Sequence, residues 1–408
     1  MSKPATQGRY TSYEKPSCRC SRGCLATEKR PALCNPSRGH QPVRGHDLEG
    51  ARSITGPYLA LLGASATVVG IVAGFGELIG YGLRLVSGFI TDRTGRYWTI
   101  TLLGYVINLF AVPLLALAGH WPMAALLIIM ERLGKAVRTP ARDAMLSHAT
   151  QEMGRGWGFG LHEAMDQIGA MLGPLVVTAV LYVEGSYRAG FAILLIPALL
   201  ALSLLVIARF LYPRPRELER TVSELGSKGL ARPFWVYLGA AALIGAGYAD
   251  FPLIAFHFET FSVVPDHWIP IFYAIAMGVD ALVALLAGHL FDRHGMAILV
   301  TATLFSTAFA PLVFLGSFHF ALAGTALWGV GMGAQESIMR AAIADMVAAD
   351  KRGSAYGIFN TGYGVFWFLG SALMGYLYDI SLSAIITFSV LMQLAAIPLL
   401  LWVRAKTR

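Results

Sequence analysis

The chain has 408 residues, a formal net charge of +8 and a mean hydropathy of +0.58, with 56% hydrophobic but only 14% charged residues. This composition excludes a water-soluble enzyme, a secreted disulfide-linked domain and a disordered polymer, because a soluble surface of this size needs far more charge. The apolar residues occur in blocks of roughly 20 to 25, the length that an α-helix needs to cross a bilayer. We therefore predict an all-α, polytopic membrane protein embedded in a lipid bilayer.

Residues 1–48 differ from the rest of the chain. They contain nine Lys or Arg and three Asp or Glu residues, a net charge of +6, which leaves the remaining body nearly neutral. Because the excess positive charge is confined to this tail, we do not predict nucleic-acid binding. We expect either an unstructured tail, favoured by its five prolines, or a leader from a shifted reading frame. Its possible metal ligands lack a C-x2-C pair, so we predict no metal and no cofactor; they are Cys18, Cys20, Cys24, Cys34, His40 and His46.

Eleven hydrophobic spans follow in chain order. They lie at about 65–90, 97–118, 121–139, 157–183, 188–211, 233–258, 268–291, 297–317, 319–344, 354–378 and 383–404. Residues 49–64 can supply only the end of a twelfth crossing, because they are too few and are interrupted by Gly56 and Pro57. We therefore predict that the first helix is truncated or replaced.

The Lys and Arg residues of the short loops indicate the orientation of the chain. The loops at one membrane face contain a single basic residue, Arg188. Because positive loops stay in the cytoplasm, we predict a multi-pass protein of the cell (inner or plasma) membrane whose charged loops and C-terminus are cytoplasmic. The cytoplasmic set comprises Arg93, Arg96, Lys135, Arg138, Arg142, Arg155, Arg214, Arg216, Arg220, Lys228, Arg232, Arg293, Lys351, Arg352, Arg404, Lys406 and Arg408.

An internal repeat divides the helical body into two similar parts. GFITDRTGR, from Gly88, recurs as GHLFDRHGM 200 residues later, and RGWGFG, from Arg155, recurs as RGSAYG 197 residues later. Repeats of this kind are typical of transporters built from two pseudo-symmetric bundles. We predict an N-terminal bundle at 49–211, a cytoplasmic linker at 212–232 and a C-terminal bundle at 233–404.

Two motifs carry a resemblance to a known family. GFITDRTGR matches the signature G-x-x-x-D-R-x-G-R between the second and third helices of the major facilitator superfamily (MFS), which the chain resembles over about residues 49–404. GAMLGP, with Gly169, Gly173 and Pro174, resembles the fifth-helix motif G-x-x-x-G-P, seen mainly in antiporters of the family. The resemblance implies a 12-helix fold of two bundles that carries a small solute by alternating access.

The signature loop suggests a gate. Gly88 permits close backbone approach, and Gly95 allows a sharp turn between two helices. By the resemblance, Asp92 and Arg96 make charged contacts that hold the cytoplasmic side shut, with Asp143 as a candidate partner of Arg96. A solvated loop that only fixes topology is the alternative. The candidate gate residues are Gly88, Asp92, Arg93, Gly95, Arg96 and Asp143, with Gly288, Asp292, Arg293 and Gly295 in the repeat.

Ionisable residues at membrane depth are candidates for the transport site, because an unpaired charge there costs at least about 2.5–3.5 kcal/mol. Carboxylates in a cavity can gain and lose a proton, so Glu77 and Asp166 are the first candidates for proton coupling, followed by Asp280. Arg84, on the same helix face as Glu77, is a candidate partner of Glu77 or of an anionic substrate. Static interhelical ion pairs are the alternative. The full set is Glu77, Arg84, His162, Asp166, Asp250, Asp280 and Glu336.

The predicted function is secondary transport of a small solute by a monomer, coupled to protons, with antiport favoured over symport. No nucleotide-binding motif is present, so we expect neither ATP-driven transport nor enzymatic activity. Four basic residues in one segment, Arg132, Lys135, Arg138 and Arg142, are predicted to be a topology anchor in preference to a site for a phosphate or carboxylate. The alternatives are an uncoupled facilitator and a membrane sensor or scaffold with the same fold.

Overall fold

The computed structural model describes residues 50–149, 155–211, 230–347 and 352–407. These residues form helices and contain no strand, so the all-α prediction is confirmed. The predicted tail at 1–48 and most of the predicted linker at 212–232 lie outside the described residues. We refer to residues 50–211 as the N-terminal half and to residues 230–407 as the C-terminal half.

Each half consists of long helices, some of them divided into two segments. The N-terminal half contains α1 (50–61), α2 (Ala66–Thr94), α3 (Tyr97–Leu114), α4 (Trp121–Ala149), α5 (Arg155–Glu184), α6 (Tyr187–Ile193) and α7 (Leu195–Leu211). The C-terminal half contains α8 (Arg232–Gly247), α9 (Phe251–Thr260), α10 (Ile269–His294), α11 (Ala297–Ser306), α12 (Phe309–Leu315), α13 (Phe318–Met346), α14 (Arg352–Ile380) and α15 (Leu382–Thr407). Short 3-10 turns, Leu115–Leu117 and Asp266–Trp268, follow α3 and precede α10.

The eleven predicted spans coincide with helices of the structure. Within the described residues, seven stretches are long and apolar enough to cross a membrane by length and composition: Ala66–Thr91, Tyr97–Leu117, Tyr187–Leu211, Arg232–Thr260, Asp266–Phe291, Ala297–Leu315 and Leu382–Thr407. The other four spans correspond to α4, α5, α13 and α14, which have 29, 30, 29 and 29 residues. At 1.5 Å per residue these helices also exceed a hydrocarbon core of about 30 Å.

Three of the spans are divided shortly before a proline. The divisions between α6 and α7, α8 and α9, and α11 and α12 precede Pro197, Pro252 and Pro311. Proline lacks a backbone N–H, and its ring clashes with the carbonyl four residues earlier, so the helical hydrogen bonding is interrupted there. The second division leaves residues 248–250 outside any helix, and Asp250 becomes the residue that precedes α9.

Part of a first helix is present. Residues 50–61 form a continuous helix, so the expected interruption at Gly56 and Pro57 does not occur. Its described length, about 18 Å at 1.5 Å per residue, is shorter than the other spans. Gly56 lies against the backbone of Pro252 with no room for a Cβ atom. The Tyr58 hydroxyl donates hydrogen bonds of 2.9 and 2.8 Å to the backbone carbonyls of Leu115 and Ala118, at the 3-10 turn that follows α3, so α1 is held by both halves.

The two halves meet along pairs of helices that contain small residues. α2 packs on α14, where Gly70 and Gly74 face Ser371 and Gly375, and α5 packs on α10. A Cβ atom at Gly70 would collide with the backbone carbonyl of Ser371. Small residues at these positions allow the two helix backbones to approach this closely.

The two membrane ends of the molecule differ in charge. At the basic end α2 and α10 terminate, followed by Gly95 and Gly295 with φ angles of 62° and 59°, a left-handed conformation that favours glycine. Arg93, Arg96 and Arg293 are exposed at this end. The opposite end, which we call the neutral end because its loops contain a single basic residue, contains the turn from α1 to α2 and the turn from α14 to α15.

Candidate functional site

A cavity lies in the N-terminal half between α1, α2, α3 and α4 and extends to the start of α9 in the C-terminal half. The volume of this cavity that the centres of water molecules can occupy is about 30 Å³. Because one water needs about 10–15 Å³ on this measure, the cavity accommodates a few water molecules in this conformation. Its charged lining residues are Arg52, Glu77, Glu131, Arg132 and Asp250, and Thr55 is also polar.

Glu77 is the central carboxylate of this cavity. Its Oε1 atom lies 3.2 Å from Nη2 of Arg52 on α1 and 3.4 Å from Nη1 of Arg132 on α4. The Glu77 side chain is 16% exposed, and both arginine side chains are 13% exposed. Two guanidinium groups from different helices thus converge on one partly buried carboxylate oxygen, an arrangement of charge-assisted contacts.

The ion pairs continue on both sides of Glu77. Arg132 Nε lies 3.2 Å from Oε2 of Glu131, whose other oxygen accepts a hydrogen bond of 3.0 Å from Asn108. On the other side, Nη2 of Arg52 lies 3.5 Å from Oδ1 of Asp250. The result is an alternating series, Glu131, Arg132, Glu77, Arg52 and Asp250, which we call the ionic chain.

Asp250 joins the ionic chain to the C-terminal half. Its Oδ2 atom accepts hydrogen bonds from Nε1 of Trp367 at 3.0 Å and from Oγ of Ser371 at 2.7 Å, both on α14. A buried ion pair is tolerated when such additional hydrogen bonds satisfy its remaining polar atoms. Since Arg52 belongs to the N-terminal half, the ionic chain crosses the interface between the two halves.

Sequence reasoning found part of this site. Glu77 and Asp250 were candidates, whereas Arg52 and Glu131 were not, and Arg132 was interpreted as a topology anchor. The signal for the missed residues was available: Arg52 lies in the apolar stretch 49–64, and Glu131 and Arg132 lie within a predicted span. The insertion cost that singled out Glu77 applies equally to these three residues.

Four other candidates lie outside the cavity lining. The guanidinium carbon of Arg84 lies 5.3 Å from the ring centroid of Tyr81, and no ion pair joins Arg84 to Glu77 among the described residues. Asp280 is buried in α10, and Asp166 and Glu336 are exposed on α5 and α13. The structure does not bring these side chains into the ionic chain. The side chain of a further candidate, His162, lies outside the described part of the structure.

The predicted gate residues are located at the basic end. The position of a Cβ atom on Gly88 is 3.5 Å from Pro140 of α4, whereas Gly288 has open space in the same position. The side chains of Asp92, Asp143 and Asp292 lie outside the described part of the structure, so the contacts expected for them stay predictions. In the fifth-helix motif Gly169, Gly173 and Pro174 are buried, and the Gly173 backbone lies against Gly50 of α1.

The neutral end is closed by hydrogen bonds between the halves. Asp379 of α14 accepts hydrogen bonds from the backbone N–H groups of Ala66 and Thr67, at 3.2 and 2.9 Å, and thereby caps the N-terminus of α2. A carboxylate at this position is favoured by the helix dipole. The Tyr187 hydroxyl of α6 donates a hydrogen bond of 2.5 Å to Glu259 of α9. We call these two contacts the neutral-end latch.

The described residues contain no group of three or more His, Cys, Asp or Glu side chains that could hold a metal ion. The ionic chain can instead bind charged groups and exchange protons.

The profile of the Major Facilitator Superfamily matches residues 50–333 and 251–408 of the chain. An uncharacterized protein of Mycobacterium tuberculosis is 42% identical over 363 residues, covering 87% of this chain and 89% of the relative. An uncharacterized MFS-type transporter of Methanocaldococcus jannaschii is 26% identical over 332 residues, covering 78% of this chain and 82% of the relative. The crystal structure of the nucleoside transporter NupG superposes with a TM-score of 0.73 at 14% identity, covering 91% of this chain and 98% of that one. The last likeness concerns the fold alone.

Proposed function

Since the chain belongs to the major facilitator superfamily, we propose that it moves a small solute across the plasma membrane by alternating access and couples this movement to protons at Glu77. Its family and fold are those of multi-pass membrane transporters. The coupling, the membrane and the monomeric state are our proposals. The basic end is then cytoplasmic.

One observation carries the proposal of proton coupling: the carboxylate of Glu77 lies at a cavity between two guanidinium groups. A protonated Glu77 loses its charge-assisted contacts with Arg52 and Arg132, so each proton transfer changes how both arginines are held. A structural ion pair buried away from water would lack access to protons, whereas Glu77 lines a space that accommodates water.

The ionic chain can connect protonation of Glu77 to a movement of the two halves relative to each other. Arg52 contacts Glu77 at 3.2 Å within its own half and Asp250 at 3.5 Å across the interface. When Glu77 is neutral, Asp250 is the remaining carboxylate of the ionic chain beside Arg52, so protonation shifts the balance of charge toward the C-terminal half. This change biases a two-state equilibrium between the halves, which is what coupling requires.

The neutral-end latch supports alternating access as the mode of movement. It joins α2 to α14 and α6 to α9, pairs of helices that belong to different halves. In the state described here the neutral end is shut, and a second state in which the latch opens completes the cycle. Asp166 was the other first candidate for proton coupling. Its side chain is exposed and lies outside the ionic chain, so we assign it a weaker role in coupling.

Proton flux in proteoliposomes tests the proposal. The purified full chain is reconstituted with a pH-sensitive dye inside, and one solute at a time is added: methanesulfonate, inorganic phosphate, tetramethylammonium or uridine. We expect at least one solute to change the internal pH with the wild type. Acidification indicates symport and alkalinisation indicates antiport, the direction favoured by the motif at Gly169 to Pro174.

The matched variants are Glu77→Gln and Asp166→Asn, which remove one charge each and preserve shape. We expect Glu77→Gln to abolish solute-driven proton flux and Asp166→Asn to reduce it less than twofold. Isotope-labelled solute uptake without proton flux in the wild type would identify an uncoupled facilitator and contradict the proposal. Neither uptake nor flux for any of the four solutes would favour the sensor or scaffold.

A further inference from the structure

The geometry around Glu77 points to the class of solute, an inference that rests on the proposed function. We infer that the solute carries an anionic group, such as a carboxylate, sulfonate or phosphate. This group takes the place of the Glu77 carboxylate between Arg52 and Arg132 while Glu77 is protonated. The solute and the proton therefore move in the same direction, so this inference replaces antiport by symport.

The first argument is the convergence of two cations on one point of the cavity. Arg52 Nη2 and Arg132 Nη1 lie 3.2 and 3.4 Å from the same Glu77 oxygen, and they come from α1 and α4. Guanidinium groups bind carboxylate and phosphate oxygens through several directed hydrogen bonds, which makes arginine suited to this task. Glu77 thus occupies a position that an external anion of the same geometry can occupy.

The second argument is the charge balance of the ionic chain. Its two arginines and three carboxylates sum to one negative charge when every group is ionised. Protonation of Glu77 makes the sum zero, and one bound monoanion restores it to one negative charge. The loaded and empty sites then carry the same charge, so the solute and proton enter a buried site with no added electrostatic cost from net charge.

The third argument is that the neighbouring charges favour an anion over a cation. Besides Arg52 and Arg132, Lys135 of α4 and Arg84 of α2 act on Glu77 with positive charge, whereas Asp250 opposes them from the C-terminal half. A cationic solute would have to displace two guanidinium groups from Glu77. The remaining lining is mostly apolar and suits the body of an organic anion: Val69, Val72, Ala73, Val112, Leu115 and Ile128.

Anion binding to the purified full chain tests the inference through a gain of function. Glu77→Gln leaves the two arginines without the carboxylate between them. We expect it to bind methanesulfonate or inorganic phosphate at least about tenfold tighter than the wild type at pH 8, within the typical range for two competing or coupled ligands. The measurement is the rise in thermal unfolding temperature on titration with each sodium salt, against sodium chloride at equal ionic strength.

The pH dependence separates this site from unspecific salt effects. Anion affinity of the wild type should rise as the pH falls from 8 to 5.5, because binding of the anion between the arginines is linked to uptake of a proton by the displaced Glu77 carboxylate. For methanesulfonate, which stays a monoanion over this range, the affinity of Glu77→Gln should depend on pH much less than that of the wild type. Glu184→Gln, an exposed neutral-end carboxylate, is the matched control and should behave as the wild type.

Arginine variants in the Glu77→Gln background complete the test. Replacement of Arg52 or Arg132 by Gln should remove the gained anion affinity, and Lys at either position should retain part of it. An unchanged affinity in the Gln variants, or no gain in Glu77→Gln, overturns the inference. Solute-driven proton flux with tetramethylammonium alone also overturns it, while leaving proton coupling at Glu77 intact. Anion binding without any flux would instead reject the proposed transport and keep the site.

Discussion

The two halves of the molecule share a repeat but differ in how their equivalent positions are filled. With the 200-residue offset of the signature loops, Glu77 of α2 corresponds to Met277 of α10; with the 197-residue offset of the second match, Glu131 of α4 corresponds to Trp328 of α13. Met277 and Trp328 are buried hydrophobic residues. The N-terminal half therefore has a charged, water-accessible cavity where the C-terminal half has a packed core.

The packing around Trp328 shows what the C-terminal half contributes. Its ring centroid lies 5.7 Å from that of Tyr248 and 5.9 Å from that of Phe251, and its Nε1 donates a hydrogen bond of 2.8 Å to the carbonyl of Ala249. Aromatic contacts of this kind add stability beyond the buried area. They brace residues 248–250, the non-helical stretch that presents Asp250 to Arg52. We interpret the N-terminal half as the part that provides most of the charged cavity and the C-terminal half as the packed part that holds Asp250 in position.

The largest expected effect comes from removing this support. Trp328→Ala leaves a large cavity in a fully buried site and should lower stability by about 3–5 kcal/mol. Trp235→Ala is the matched control, because this tryptophan is 46% exposed and its loss should change stability by less than about 0.5 kcal/mol. Unfolding in detergent measures both. An equal loss in the two variants would mean that the aromatic core is not the support we describe.

A second prediction addresses the link between the halves. Asp250→Asn removes the carboxylate that faces Arg52 but keeps an oxygen to accept hydrogen bonds from Trp367 and Ser371. We expect solute-driven proton flux to fall by more than tenfold, since a hydrogen bond to a charged group contributes about 1.5–3 kcal/mol. Ser371→Ala, which removes a neutral donor to Asp250, should have a smaller effect of about 1 kcal/mol. If Ser371→Ala impairs flux as strongly as Asp250→Asn, the charge of Asp250 is not what joins the halves.

The smallest expected effect concerns the neutral-end latch. Asp379→Asn removes a negative charge from the N-terminus of α2, a change of about 0.3–1 kcal/mol. Hydrogen exchange of the first turns of α2 should accelerate severalfold at most, with the folded protein otherwise unchanged. Glu184→Gln is again the control, since it also removes an exposed carboxylate at the neutral end. Unaltered exchange in Asp379→Asn would show that this contact does not hold the neutral end shut.

Much of the fold follows from local features of the sequence. Hydropathy located the eleven spans because each must cover about 30 Å of hydrocarbon, and the glycines after the D-R dipeptides mark the turns at Gly95 and Gly295. The predicted interruption at Gly56 and Pro57 was wrong, since residues 50–61 are helical. A Gly-Pro pair does not prevent a helix when a neighbouring backbone packs closely on the glycine.

The sequence by itself determined the membrane class and the internal repeat, and it singled out Glu77 as a candidate site residue, since a charge within an apolar run is visible without knowing its neighbours. Only the tertiary structure decided which charges meet. Arg52 pairs with Glu77 across 25 residues and with Asp250 across 198 residues. Such partners depend on how helices from both halves pack, and hydropathy or motif spacing contains no information about that packing.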